Sequence, residues 1–254
     1  MAKARVMDLN LRNKTVFVTG ASSGIGAATA ILFAEEGANV VIGYSRNDAA
    51  AQSVLERIRS KGVQAWLCKM DVTSHVSVRE GLKNIASNVT GLDGLVLCAG
   101  QNQIGSMSEI SSEEWNQVLA INLTGAFFVL QAVTPLLNEG AGVVLVASVA
   151  GDTGAPRHPH YAAAKAGLIN LAKSAARELA PRVRVNCVSP GVTLTAMGRS
   201  TMEGADKDYV RKKLLLERFA EPEEIARCIV FVTSPANSFM TGATIDVNGG
   251  RTLR

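Results

Sequence analysis

Short apolar, β-branched runs alternate along the chain with longer stretches whose apolar residues recur every three or four positions. That alternation predicts the elements. "KTVFVTG" (14–20), "NVVIGY" (39–44), "QAWLCKMD" (64–71), "DGLVLCAG" (93–100), "GVVLVASVAG" (142–151), "RVRVNCVSPG" (182–191) and "ATIDVNGG" (243–250) read as strands. Between them, "IGAATAILFAEEG" (25–37), "AAAQSVLERIRSKG" (49–62), a segment over about 74–88, "SEEWNQVLAINLTGAFFVLQAVTPLL" (112–137), "HYAAAKAGLINLAKSAARELA" (160–180) and "PEEIARCIVFVTS" (222–234) read as helices. Glycine closes the first two, and Pro222 suits the first turn of the last. Strands joined through helices of this length run parallel, because each return needs a crossover. Near-continuous apolar strands such as "VVLVASV" fit a sheet covered on both faces. The expected fold is α/β: one doubly wound, seven-stranded parallel sheet with helices on both faces, in one domain over 1–254.

Ligands of such a sheet bind beyond the carboxyl ends of the strands, so those ends carry the functional reading. After the first strand, "TGASSGIG" (19–26) places Gly20, Gly24 and Gly26 in a GxxxGxG turn with Ser22, Ser23 and Ile25 between them. Glycines allow a tight turn and close approach of a pyrophosphate to a helix N-terminus, although a plain strand–helix turn has the same look. The second strand ends in Ser45 and Arg46, with no acid between Val40 and Asn47. An acid there would suit NAD and a guanidinium suits a 2′-phosphate, so NADP(H) is favoured over NAD(H). Asp48 leaves that choice open, and Arg46 also reads as a simple exposed loop arginine. Asp71 and Val72 end the third strand. The carboxylate reads either as an acceptor for an adenine amino group or as a cap of the next helix. Cys98, Ala99 and Gly100 close the fourth strand, Ser148 the fifth, and Pro190, Gly191, Val192 and Thr193 the sixth. In "YAAAK", Tyr161 and Lys165 stand four apart, on one face of a helix.

Composition narrows the classes. The 254 residues are 47% hydrophobic, enough for one large core. The net charge of +4 comes without a block of like charges, which argues against a nucleic-acid partner. Four dispersed cysteines, with no CxxC, read as buried thiols of a reducing compartment, and the cytoplasm is expected. The first residues lack the apolar core of a signal peptide, and no run approaches 18 apolar residues, so no membrane association is expected. His75, His158 and His160 have no partner at ligand spacing; no metal is expected, and His158 and His160 read as loop residues near a substrate mouth.

Taken together, "TGASSGIG", Asp71, "AG" (99–100), Asn122 in "AINLTGAF", Ser148, Tyr161 with Lys165, and "PGV" (190–192) resemble the short-chain dehydrogenase/reductase family. Order and spacing agree, including thirteen residues from Ser148 to Tyr161, and the match runs from about residue 11 to 250. The resemblance implies a Rossmann fold and hydride transfer between nicotinamide and a carbonyl or alcohol. Tyr161 would be the acid/base, Lys165 would lower its pKa and bind the nicotinamide ribose, Ser148 would hold the substrate oxygen, and Asn122 would support Lys165 through water. The glycine turn (Gly20, Ser22, Ser23, Gly24, Ile25, Gly26), Ser45, Arg46, Asp71, Val72, Cys98, Ala99, Gly100 and Pro190 to Thr193 would line the dinucleotide with Tyr161 and Lys165.

Three departures stand out. Cys98 occupies a position where the family often has Asn; no basic residue lies inside the glycine loop, which weakens the NADP reading; and "APRVRVN" (180–186) is one residue shorter than the common form, as in pteridine-reductase-like relatives. The segment 193–222 corresponds to a substrate lobe and lid. Its Met197, Met202, Leu214, Leu215, Leu216 and Phe219, beside Arg199, Lys207, Arg211, Lys212 and Lys213, would suit an acyl chain on an acidic carrier, or would simply form an amphipathic helix. The leading expectation is therefore a 3-oxoacyl-[acyl-carrier-protein] reductase-like enzyme. The alternatives are a reductase or dehydrogenase of another small alcohol or ketone (sugar, polyol, steroid) or a pteridine, and a catalytically silent dinucleotide-binding scaffold. A homotetramer is implied, with 112–137 and 160–180 at one interface.

Overall fold

The structure is a computed structural model that describes residues 7–202 and 208–253. Seven parallel strands, β1 (Thr15–Thr19), β2 (Asn39–Tyr44), β3 (Ala65–Lys69), β4 (Leu92–Leu97), β5 (Leu137–Val146), β6 (Val183–Pro190) and β7 (Thr244–Val247), form one sheet in the order β3-β2-β1-β4-β5-β6-β7. The doubly wound α/β expectation holds, and the order reverses beside β1, where Val16 pairs with Gly94 and Thr19 with Leu97. That switch point opens a crevice for a ligand.

The two-residue period of the strands sorts the core into two layers. Phe17, Val41, Leu95, Val143 and Val185 face α3 (His75–Ile85), α5 (Gly125–Val133) and α7 (Pro159–Leu179). Val16, Val18, Val40, Ile42 and Val144 face α1 (Gly24–Glu35), α2 (Asp48–Arg59) and α10 (Pro222–Thr233). Burying a side chain such as Phe17 or Ile225, both at 0% exposure, contributes roughly 1.5–3 kcal/mol each.

Two boundaries differ from expectation. The fifth strand, expected over 142–151, runs from Leu137 to Val146, and its last expected residues form a short helix, α6 (Val149–Thr153). The apolar run "VASVAG" continues smoothly across the change, so only the turn at Ser148 marks it. The helix expected over 112–137 is α4 (Ser112–Leu119), a π-helical turn (Ala120–Thr124), α5 and a short 3-10 turn (Thr134–Leu136). Over Ser112–Leu136 this assembly is long and apolar enough to cross a membrane by length and composition alone, with a mean hydropathy of 1.6 over 18 residues, although Asn, Thr, Gln and Pro interrupt its apolar run. Its Val118, Val129, Leu130 and Val133 are buried in this fold, while Trp115 and Phe127 are exposed. Beyond β6 lie two short helices, α8 (Ala196–Thr201) and α9 (Tyr209–Lys213). Lys207 lies outside the described residues.

Candidate active site

The crevice at the carboxyl ends of the strands is a cavity of about 1810 Å³. Its floor is made by two turns that touch. Gly20, at φ +66°, follows β1, and a Cβ on it would lie 2.8 Å from Ala99 Cα, in the turn after β4. A Cβ on Gly26 would lie 2.3 Å from Gly20 O, a separation real side chains do not show. Gly24 is at φ +54°. These positions therefore require glycine, and helix α1 starts hard against the strand end. Ser23, its N-cap residue, makes no side-chain capping bond, and the first turn carries no acid. The helix end is open to an anion, with its positive dipole end directed at the cavity. Thr19, which the sequence reading passed over, locks the floor: its Oγ1 accepts from the N–H groups of Cys98 and Ala99 at 3.0 and 3.1 Å. The "TG" pair was visible in the sequence, but the partner turn 79 residues on was not.

Ser22, Ser23, Ser45, Arg46, Asp71, Val72, Cys98 and Pro190 to Thr193 all line this cavity. Arg46 is exposed at its lip. Asp48, the acid that clouded the cofactor choice, is committed elsewhere: Lys69 Nζ donates to it at 2.8 and 2.9 Å and Tyr44 Oη at 2.9 Å. Asp71 does not cap α3. That cap is Ser74, whose hydroxyl accepts from Ser77 N–H at 3.2 Å, while Asp71 Oδ1 accepts from Thr73 N–H and Oγ1 at 2.9 and 2.8 Å. Burial pushes the Cys98 thiol up to about 11, so it stays a neutral, packed group.

Three elements bring the reactive set together. Ser148 caps α6, its hydroxyl accepting from Ala150 N–H at 3.2 Å. Tyr161 and Lys165 come from one face of α7, and Lys165 Nζ stands 5.5 Å from the centre of the Tyr161 ring. The ammonium is almost fully buried and donates to Val146 O at 2.9 Å. Burial pulls its pKa down to about 8. The phenol runs contrary to the expectation of a lowered pKa. Burial raises it to about 12, and the hydrogen bond with Ser148 offsets only part of that. Tyr161 is thus held as the protonated acid, the form that donates to a carbonyl oxygen.

Asn122 sits in the π-helical turn at 0% exposure. It makes no direct bond to Lys165. Its Nδ2 donates to Gln101 O at 2.7 Å and Val118 O at 2.9 Å, and its Oδ1 accepts from Gln101 N–H at 3.3 Å. A Cβ on Gly100 would lie 2.8 Å from Asn122 Oδ1 and 3.5 Å from Lys165 Nζ, so the two groups flank this glycine.

His158 ends the loop before α7 as its N-cap residue and lines the cavity, whereas His160 lies in the first turn of the helix and not in a loop; both are buried. Nδ1 of His158 lies 3.1 Å from Asn102 Oδ1 and 3.0 Å from Gln103 O, two acceptors that require it to carry a proton. His160 Nδ1 accepts from Tyr161 N–H at 2.9 Å. Among the described residues, no three metal-ligating side chains cluster.

The lid corrects the expectation of a greasy acyl channel. Met197 and Met202 line the cavity, but Leu214 is buried away from it. Leu215 and Leu216 are exposed and lie against Gly250 and Gly249. Arg199 and Lys213 do reach the cavity, and so do two residues with no prior signal, Tyr209 and Arg251.

A glycine-rich floor, an open helix end and a Ser–Tyr–Lys set at one crevice describe a dinucleotide oxidoreductase site, and comparison with known proteins decides the family. A family model described as enoyl-(acyl carrier protein) reductase matches residues 20–252. The 3-oxoacyl-[acyl-carrier-protein] reductase FabG of Staphylococcus epidermidis is 38% identical over 241 residues, 94% of this chain and 98% of that one. The chain belongs to the short-chain dehydrogenase/reductase family. FabG of Thermotoga maritima is 36% identical over 95% of this chain and 99% of its own. Among solved structures, a dehydrogenase/reductase from Sinorhizobium meliloti superposes with a TM-score of 0.90 at 31% identity, covering 97% of this chain and 98% of that one. A short-chain dehydrogenase from Burkholderia cenocepacia in complex with NADP gives 0.90 at 32% identity, covering 96% and 99%. This member of the family is an NAD(P)-dependent oxidoreductase that binds a nicotinamide dinucleotide.

Proposed function

We propose that the chain is an NADP(H)-preferring reductase of 3-oxoacyl compounds, in which Ser148 and Tyr161 hold the substrate oxygen, Tyr161 delivers its proton and Lys165 holds a positive charge beside it. The observation that carries this reading is that Ser148, Tyr161 and the buried Lys165 ammonium all line one crevice beside the glycine floor. Ser148 and Tyr161 in one crevice offer two hydroxyls to a carbonyl oxygen, which agrees with the relatives' printed activity rather than with the family model's description.

The residues fit a dinucleotide: with no Cβ at Gly26, α1 packs directly against Gly20 O, and the uncapped N–H groups of its first turn are left for a pyrophosphate. Gly20 to Gly26 would hold the diphosphate, Arg46 with Ser45 the 2′-phosphate, Asp71 and Val72 the adenine, and Cys98 to Gly100 with Pro190 to Thr193 the nicotinamide half. When bound, it supplies a hydride from nicotinamide C4 to the carbonyl carbon. Tyr161 then gives its phenol proton to the carbonyl oxygen, and Lys165 stabilises the phenolate left behind. Asn122 holds the Gly100–Gln101 backbone in place beside that pair.

NADP(H) preference is supported by the commitment of Asp48 to Lys69 and by Arg46 at the lip. A homotetramer is supported by the exposed Trp115 and Phe127 on the apolar Ser112–Leu136 assembly, and sedimentation tests it. The cytoplasm is the proposed compartment, in keeping with four free cysteines.

The test compares NADPH and NADH affinity, then follows dinucleotide oxidation with 3-oxoacyl thioesters, simple ketones, sugars and a pteridine. Preferential turnover of the thioesters with NADPH supports the reading. Tight dinucleotide binding without turnover of any carbonyl contradicts it and favours a silent scaffold.

A further inference from the structure

The cations of the lid divide into two groups. Lys212 pairs with Asp208 at 3.5 Å, and Arg218 grips Glu224 at 2.6 and 2.7 Å. Arg199, Lys213 and Arg251 instead line the cavity, and among the described residues none of them has a carboxylate partner. The carboxylates of the lining, Glu35, Asp71 and Glu223, all come from other elements.

Arg251 is the best fixed of the three. Its N–H donates to Asn248 Oδ1 at 3.1 Å, in a turn that also receives Gly250 N–H at 3.0 Å. That turn is pressed onto the site: a Cβ on Gly191 would lie 2.9 Å from Asn248 Cα. The side chain is held as well. Nε donates to Tyr209 Oη at 3.3 Å, and the guanidinium lies 6.0 Å from the centre of the Tyr209 ring, which in turn packs on Phe219. Both terminal amino groups are left without a protein acceptor among the described residues. Lys213 stands one turn after Tyr209 on α9, so its side chain leaves the same face. A solvated arginine would have neither the braced backbone nor the tyrosine. Near the reactive pair, Gln101, Asn102 and His158 make the lining polar.

From this placement we infer that Arg251, braced by Tyr209 and joined by Lys213, is a specificity-determining anion subsite, which selects carbonyl substrates that bear a negatively charged group besides the reacting carbonyl. The inference rests on the carbonyl-reductase reading and names the substrate class within it. The charge has two possible sources with one chemistry, a free carboxylate on a short oxo acid or a phosphate on a pantetheine arm.

The experiment uses the full chain and three substrates with the same reacting group: acetoacetate, acetoacetyl-coenzyme A and neutral ethyl acetoacetate. Arg251→Met keeps the apolar stem and removes the charge. The expected result is that the kcat/KM ratio of the matching anionic substrate to the ester falls about tenfold or more, carried by KM, as for loss of one charge-assisted hydrogen bond, and that Arg251→Lys restores part of it. Which anion loses most identifies the source. A ratio that changes by less than about twofold for both anions overturns the subsite. Calorimetric binding of acetoacetate and of coenzyme A to the NADPH-loaded protein reads the subsite without turnover. Binding that Arg251→Met weakens supports it, and no binding of either anion by the wild type overturns it. Turnover of none of the three with intact anion binding overturns the reductase reading alone.

Discussion

Replacing Asn122 with alanine is the most informative change in the scaffold of the site. In the π-helical turn the Gly125 N–H reaches back five residues to Ala120 O, which interrupts the regular ladder. The Asn122 amide spans the interruption, giving one hydrogen bond to Val118 O and exchanging two with the Gln101 backbone. Three hydrogen bonds at roughly 1 kcal/mol net each amount to about 3 kcal/mol, and the Gln101 groups left unpartnered would keep the loss from being smaller. At about 2–4 °C per kcal/mol for a chain of this size, Asn122→Ala should melt roughly 6–12 °C below the wild type. Because Gly100 lies between Asn122 and Lys165, turnover should fall along with stability. Asn122→Asp is isosteric but has no amide donors, and it should lose at least as much. Thermal denaturation followed by circular dichroism, with kcat measured on the same preparations, checks both. A melting temperature within about 2 °C of the wild type for Asn122→Ala would show that this amide does not tie the turn to the strand end.

Gly26→Ala forces a methyl to 2.3 Å from Gly20 O and should weaken NADPH binding by about tenfold or more, read by fluorescence titration, because α1 must back away from the floor. Arg46→Ala should lower the NADPH-to-NADH affinity ratio by about tenfold, and an unchanged ratio would remove Arg46 from the 2′-phosphate site. The pH dependence follows from two buried groups. Lys165, with its pKa lowered to about 8, loses its charge above that pH, so kcat/KM for NADPH should fall through a single ionisation near pH 8. Between pH 8 and the usual lysine range the unfolded chain binds the extra proton, so wild-type stability should rise with pH relative to Lys165→Met, by up to about 1.4 kcal/mol per unit. Above pH 10 the Tyr161 phenol, raised to about 12, keeps a proton that the unfolded chain releases, so its contribution to stability declines with pH. Urea titrations at several pH values check both signs.

What the sequence could show was periodic or local. The strands alternate between two covered faces, and every one of them is visible as an apolar run, so their parallel winding followed from the helices between them. The glycine turn was legible because Gly20, Gly24 and Gly26 are contiguous with a strand and a helix. Ser148 was placed at a strand end, but its capping of α6 was hidden by an apolar run that does not change character at the turn. The π-helical turn has no period of its own in five residues, so the task of Asn122 was invisible. The direction of the phenol's pKa shift depended on burial, which no spacing reports. The lid misled because Leu214, Leu215 and Leu216 look alike in sequence, although the first is buried in the body and the other two rest on the Gly249–Gly250 turn. Tyr209 and Arg251, 42 residues apart, are joined only by the fold.

The central claim is that the Tyr161 hydroxyl, set by Ser148 and Lys165, moves the proton. Tyr161→Phe removes that one oxygen and leaves the ring, so its turnover with NADPH and a 3-oxoacyl thioester, measured beside its NADPH dissociation constant, tests the claim most directly. The kcat should fall by about 100-fold or more while the dissociation constant stays within about twofold of the wild type. Turnover retained within about tenfold, at the same affinity, would contradict the claim.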